Sequence, residues 1–135
     1  MKAHRSLTKH AERSFAQLDI GLTDFVILEM LLSKGPQKAS RIAERIGLTG
    51  GAITSAVDRA EAQGLVVRTL DPGDRRARIV ELTPRGRRLI ERAFARHSAA
   101  MEDATSALTP AELRALAALL KRLGTGAESK LAARD

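Results

Sequence analysis

Residues 65–84 read LVVRTLDPGDRRARIVELTP. Two runs rich in β-branched residues, LVVRTL and ARIVEL, flank DPGDRR, whose Pro72-Gly73 pair and neighbouring aspartates are residues that turn a chain back on itself. The pattern predicts a small β-hairpin with Arg75 and Arg76 at its tip. Thr83-Pro84 then closes the hairpin and opens a helix, with threonine as N-cap and proline at the first helical position, where no N–H is needed.

Immediately upstream, TGGAITSAVDRAEAQG puts Ile53, Ala56, Val57 and Ala60 on one helical face and leaves Gly50, Gly51, Thr54, Ser55, Asp58 and Arg59 elsewhere on the surface. KASRIAERIGL before it aligns Ala39, Ile42, Ala43 and Ile46, and Gly47 ends that helix. Two short amphipathic helices joined by a tight glycine-containing turn form a helix-turn-helix, and the hairpin after them makes a wing.

Helices bracket this module. Residues 4–19 carry Leu7, Ala11, Ser14, Phe15 and Leu18 at helical spacing, with Gly21 as terminator. Thr23 is the expected N-cap of TDFVILEMLLS, which is apolar enough to be central and is closed by Gly35-Pro36. After the wing, Leu89, Ile90, Ala93, Phe94, His97, Met101 and Leu108 trace the apolar side of a long helix. In TPAELRALAALLKRLG, Thr109 and Glu112 form a capping box, and a leucine stripe runs to an expected end at Gly124, leaving 124–135 as a flexible tail. The expected fold is mainly α with a small β-hairpin. It is one domain over 1–135, with a winged helix-turn-helix at 23–82 between outer helices at 1–20 and 84–123.

Charge supports a polyanionic partner. Lys+Arg of 23 against Asp+Glu of 16 gives a formal +7. Residues 65–96 hold Arg68, Arg75, Arg76, Arg78, Arg85, Arg87, Arg88, Arg92 and Arg96 against Asp71, Asp74, Glu81 and Glu91, so the excess is concentrated around the wing. With no cysteine, disulfide frameworks, thiolate metal sites and thiol switches in this chain are excluded. No apolar run reaches the roughly 18 residues of a membrane span, and the first residues lack a signal-peptide core, so a soluble cytoplasmic protein without membrane contact is expected. His4, His10 and His97 have no catalytic or zinc spacing and no phosphate loop of the Walker type occurs, so neither an enzyme nor a metal or cofactor site is expected.

These elements suit double-stranded DNA. A recognition helix in the major groove carries its hairpin over the neighbouring minor groove, where narrow A·T-rich DNA concentrates negative potential and attracts arginine. Asp74 and Arg76 are two residues apart, so the carboxylate could hydrogen-bond the guanidinium and aim it, leaving Arg75 for phosphate. Alternatively, Asp74 caps the turn and the arginines are solvated. The small run Thr49, Gly50, Gly51, Ala52 lets a helix N-terminus approach a phosphate, and Thr54, Ser55 and Arg59 can face base edges.

GLTDFVILEMLLSKGP and ASRIAERIGLTGGAITSAVDRAEAQGLVVRTLDPGDRRARIVELTPRGRRLI resemble the MarR family of bacterial transcriptional regulators, including its D-x-R wing element at Asp74, Arg75 and Arg76. KAHRS, LLSKGP and TGGAITSAVD look most like members that respond to hydroquinones and related phenolics. The resemblance implies a homodimeric repressor, with the helices at 1–20 and 84–123 as its dimerisation helices, on a pseudo-palindromic operator and released by a small phenolic or lipophilic effector. It implies that Arg76 enters the minor groove, that Asp74 orients it, and that Arg75 faces the backbone. Thr49, Gly51, Thr54, Ser55 and Arg59 would lie against the major groove, and Phe15, Met30, Phe94 and His97 would be the ligand-pocket candidates. Two other readings remain open: a winged-helix protein-interaction module without sequence-specific DNA binding, and a single-strand or RNA binder. Three phenylalanines, all on inferred apolar faces, leave the second little to stack bases on.

Overall fold

The computed structural model describes residues 1–18 and 20–132; the side chains of Gln17 and Arg75 lie outside that description. It forms two compact units, residues 1–101 and 102–135. The first contains α1 (Lys2–Phe15), a single 3-10 turn at Ala16–Leu18, α2 (Leu22–Lys34), β1 (Gln37–Lys38), α3 (Ala39–Ile46), α4 (Gly50–Ala62), β2 (Val66–Asp71), β3 (Asp74–Leu82) and most of α5 (Pro84–Ala104). Helix α2 starts before the expected Thr23 cap: Gly21 is its N-cap, and the Asp24 carboxylate in the first turn reaches back to accept the Gly21 N–H at 3.4 Å, a bond to the cap residue in place of the threonine hydroxyl's expected bond to a first-turn N–H.

The helix-turn-helix forms as the periodicity requires. Gly47 adopts φ 69°, a left-handed conformation that a β-carbon would strain, and the Leu48 N–H reaches back to the Ala43 carbonyl at 2.9 Å. Thr49 then caps α4, its hydroxyl accepting the Ala52 N–H at 3.3 Å. Ile42 and Ala43 of α3 and Ile53, Ala56, Val57 and Ala60 of α4 all point into one core with Phe15, Phe25, Leu28, Leu31, Val80 and Ile90. Each large side chain buried there contributes about 1.5–3 kcal/mol, which holds short helices that would be marginal alone.

The sheet has three antiparallel strands in the order β1-β3-β2. Gln37 pairs with Val80 and Lys38 with Ile79, a strand absent from the sequence reading because two polar residues carry no alternation to detect. The hairpin is also tighter than expected. Asp71 pairs with Asp74 around Pro72-Gly73, so Arg75 and Arg76 belong to β3 and not to a six-residue loop.

In the second unit, α5 ends at Ala104, so Leu108 lies in the following turn and not on that helix. The Thr109–Glu112 capping box is formed: the Glu112 carboxylate accepts the Thr109 N–H at 2.7 Å, and the Thr109 hydroxyl accepts the Glu112 N–H at 3.3 Å. These bonds hold Glu112 below its usual pKa. Helix α6 runs from Pro110 to Ala132, through Gly124 and Gly126 and past the expected end; an isolated glycine costs a helix only about 1 kcal/mol relative to alanine.

One junction joins α4, the wing and α5. The Leu65 carbonyl accepts the Thr83 N–H at 3.0 Å, while the Thr83 hydroxyl donates to the Gly64 carbonyl at 2.7 Å and accepts the Gly86 N–H at 2.9 Å. Gly86 lies so close that a β-carbon there would overlap the Leu65 carbonyl oxygen and come within 2.8 Å of its carbon. Gly86→Ala should therefore destabilise the protein by about 1–3 kcal/mol or more, despite alanine's higher helix propensity. Urea unfolding checks this, and an unchanged or raised midpoint would contradict the close approach.

Candidate nucleic-acid interface

Helix α4 turns its apolar residues inward and leaves Thr49, Gly51, Thr54, Ser55 and Arg59 exposed. No β-carbon at Gly50 or Gly51 would meet a neighbouring atom within 4 Å, so the start of the helix is open to close approach by a ligand backbone. The Thr54 hydroxyl donates to the Gly50 carbonyl at 2.9 Å, which leaves its methyl group and oxygen lone pairs available outward. Arg59 is not a freely projecting reader. Its guanidinium bonds Asp24 of α2 at 3.0 Å and ties the recognition helix to the helix beneath it.

In the wing, Arg76 is exposed and pairs with no carboxylate among the described residues. The Asp74 carboxylate accepts the backbone N–H of Arg76 at 3.0 Å. Of the two roles left open for Asp74, the hydrogen bond found is the one that caps the turn, so Asp74 orients the strand that carries Arg76 and not its guanidinium. The expected contact of the Arg75 side chain lies outside the described residues. Asp71 accepts the Gly73 N–H at 2.9 Å and pairs with Lys38 of β1 at 2.6 Å. That hydrogen bond pulls the Asp71 carboxyl below its usual value and raises the lysine.

Arg68 is the residue that the motif reading passed over. On β2, its guanidinium contacts Asp58 of α4 and lies 3.1 Å from Glu61, and Glu61 also accepts the Arg68 backbone N–H at 3.1 Å. Asp58, acidic on an otherwise DNA-compatible surface, is thereby neutralised by an arginine. The bond to Asp58 raises the Arg68 pKa further.

The four ligand-pocket candidates divide. The Phe15 ring is 1% exposed and stacks on Phe25 at 4.8 Å, while His97 tilts against Phe25 at 4.9 Å and Phe15 at 6.2 Å. Ser14 donates its hydroxyl proton to the Ala11 carbonyl at 2.6 Å, so its 3.2 Å contact with His97 Nδ1 makes that nitrogen the donor. Met30 is half-buried against the core, and Phe94, expected on an apolar face, is 45% exposed because its side of α5 leaves the core. An open cleft of about 550 Å³ runs along α5 between Arg85, Arg88, Leu89, Arg92 and Ala95, and none of the four candidates lines it.

This arrangement has known counterparts. Residues 18–77 match the MarR family. The chain is 33% identical to the HTH-type transcriptional regulator YkoM of Bacillus subtilis (91% of this chain, 80% of the relative) and 32% identical to MhqR of the same organism (94% and 88%). It belongs to the MarR family of transcriptional regulators. A mutant MarR from E. coli complexed with operator DNA has the same fold, with a TM-score of 0.82 at 24% identity over 90% of this chain and 88% of that one. MarR-family members are DNA-binding regulators of transcription and not enzymes, and no helix among the described residues is long and apolar enough to cross a membrane.

In this MarR-family chain, the aromatic cluster has a pH signature. Burial lowers the His97 pKa, so the folded protein holds the imidazole neutral while the unfolded chain takes up a proton near pH 6.5. Stability is complete above that value and falls as pH drops toward the lowered folded-state value. The urea midpoint of the native protein should therefore decline more between pH 7 and pH 5 than that of His97→Gln, whereas parallel profiles would remove His97 from the buried cluster.

Proposed function

We propose that this MarR-family chain is a cytoplasmic repressor that binds a pseudo-palindromic operator as a homodimer and is released by a small phenolic or lipophilic effector. The observation that carries the DNA reading is the pairing of two exposed features on one winged helix. One is the strip Thr49, Gly51, Thr54 and Ser55, whose helix is anchored on its other face; the other is the exposed Arg76, whose backbone is held by Asp74. In this reading the strip meets the major groove, where small side chains allow close approach and the threonine methyl suits thymine. Arg76 enters the adjoining minor groove and Arg75 faces phosphate. Arg59 reaches DNA only by leaving Asp24, so it acts first as an anchor for α4.

Support for the dimer comes from α6, where Leu116, Leu119, Leu120 and Leu123 are all exposed, a repeated apolar flank that water disfavours. The effector reading rests on the family likeness and on the Phe15, Phe25 and His97 rings, with Met30 and Phe94 as outlying candidates. A phenol could enter this cluster only by displacing rings that now pack on one another, and it would act by favouring one spacing of the two wings.

Arg76→Ala should cost about 1–3 kcal/mol on a duplex that the native protein enriches from a random-sequence pool. Fluorescence anisotropy reads the loss; a change within a few tenths of a kcal/mol would remove Arg76 from the groove, and failure to enrich any sequence would favour a protein-interaction module. Replacing Leu116 and Leu120 together by Glu should convert the protein from dimer to monomer in sedimentation equilibrium, and an unchanged dimer would clear α6 of that role.

A further inference from the structure

Three features mark Arg68. Its side chain is only 25% exposed, it faces two carboxylates, and both belong to the recognition helix. Asp58 and Glu61 are three residues apart on α4, so they share a flank with Thr54, four residues before Asp58. That flank faces β2. Since β2 is an edge strand, its outward N–H groups have no strand partner, and Glu61 takes the one at Arg68. One carboxylate thus accepts the backbone N–H and ion-pairs with the guanidinium of the same residue, although Nε itself is not directed into a hydrogen bond.

We propose that Arg68, with Asp58 and Glu61, is the positioning device that sets the angle between recognition helix and wing, so that α4 and Arg76 meet adjacent grooves together. Strand β1 pairs only with Val80 and Ile79 of β3, which lie opposite Arg68 and Thr69 of β2, so the sheet is three strands wide where Arg68 sits and narrows to a two-stranded ribbon from Leu70 to the turn. A narrow ribbon twists readily, and the Arg68 bridge ties its root to the helix just before the third strand ends. The outer end has its own tie in Lys38–Asp71, which fastens the turn to β1 and not to α4. Arg68 therefore carries an ion-paired connection from the wing to the recognition helix. Its charge is spent on two acids, so its contribution to DNA binding is geometric.

The inference rests on the wing reading above, and its test separates the two. Anisotropy titrations would use the duplex enriched by the native protein and a scrambled duplex. Asp58→Asn is the decisive variant because positioning and simple electrostatics predict opposite signs. Loss of an acid near DNA strengthens attraction to any phosphate backbone, whereas loss of the bridge weakens only the binding that needs both grooves. The expected result is about tenfold weaker binding to the enriched duplex, with scrambled-duplex binding unchanged or tighter, and the same specificity loss in Arg68→Gln. Arg76→Ala should cost several-fold less in either background than in the native protein, because a misplaced wing has less to lose. Arg68→Lys, which retains one pairing, should recover part of the specificity.

Equal tightening on both duplexes by Asp58→Asn would overturn the proposal, leaving Asp58 as a repelling charge. Equal weakening on both by Arg68→Gln, additive with Arg76→Ala, would overturn it in favour of a direct phosphate contact. If Arg76→Ala alone costs nothing, the wing reading fails first and this inference falls with it. Should Arg68→Gln fail to fold, Asp58→Asn, which preserves shape, still gives the answer.

Discussion

The contact between the Leu65 carbonyl and the start of α5 is the constraint on which the winged helix depends. At that point the exit of α4, the first residue of the hairpin and the first turn of α5 converge, and Gly86 leaves no room for a β-carbon between them. Thr83 serves both sides, giving its N–H and hydroxyl proton to the Gly64–Leu65 carbonyls and receiving the Gly86 amide. The base of the wing is thus closed by backbone groups. Its reach and direction then depend on side-chain charges farther out.

Those charges form a layered arrangement. Arg59–Asp24 fastens the recognition helix to α2, Arg68 joins that helix to the wing, and Lys38–Asp71 fastens the turn to β1. All are at least partly exposed, so each adds little to global stability. Their effect is directional: each fixes one element against its neighbour, α4 against α2, β2 against α4 and the turn against β1. The acids in these pairs are Asp24, Asp58, Glu61 and Asp71, each set against a basic side chain.

The aromatic cluster follows a different logic. Phe15, Phe25 and His97 come from three helices, and Ser14 sets the histidine tautomer through a hydroxyl already committed to a carbonyl. A partly buried imidazole beside two stacked phenyl rings makes an apolar surface with one polar handle. Because each ring belongs to a different helix, the cluster joins α1, α2 and α5.

Much of the architecture was legible before any coordinates. The 3.6-residue spacing of Ile42, Ala43, Ile53, Ala56, Val57 and Ala60 is a local property of the chain, and so are the positive-φ turn at Gly47, the Thr83-Pro84 helix start and the Thr109–Glu112 box. The run from Thr49 to Arg76 carried enough local pattern to mark the family. What local pattern could not decide were pairings between distant residues. Periodicity does not say that Arg59 turns to Asp24, that Arg68 holds Asp58 and Glu61, that Asp74 accepts the Arg76 amide, or that Gln37-Lys38 joins a sheet. Nor does it say that Phe94 stays outside while Phe15 and His97 meet. Each depends on which surfaces the core brings within about 3 Å of one another, and that distance is a product of packing in three dimensions.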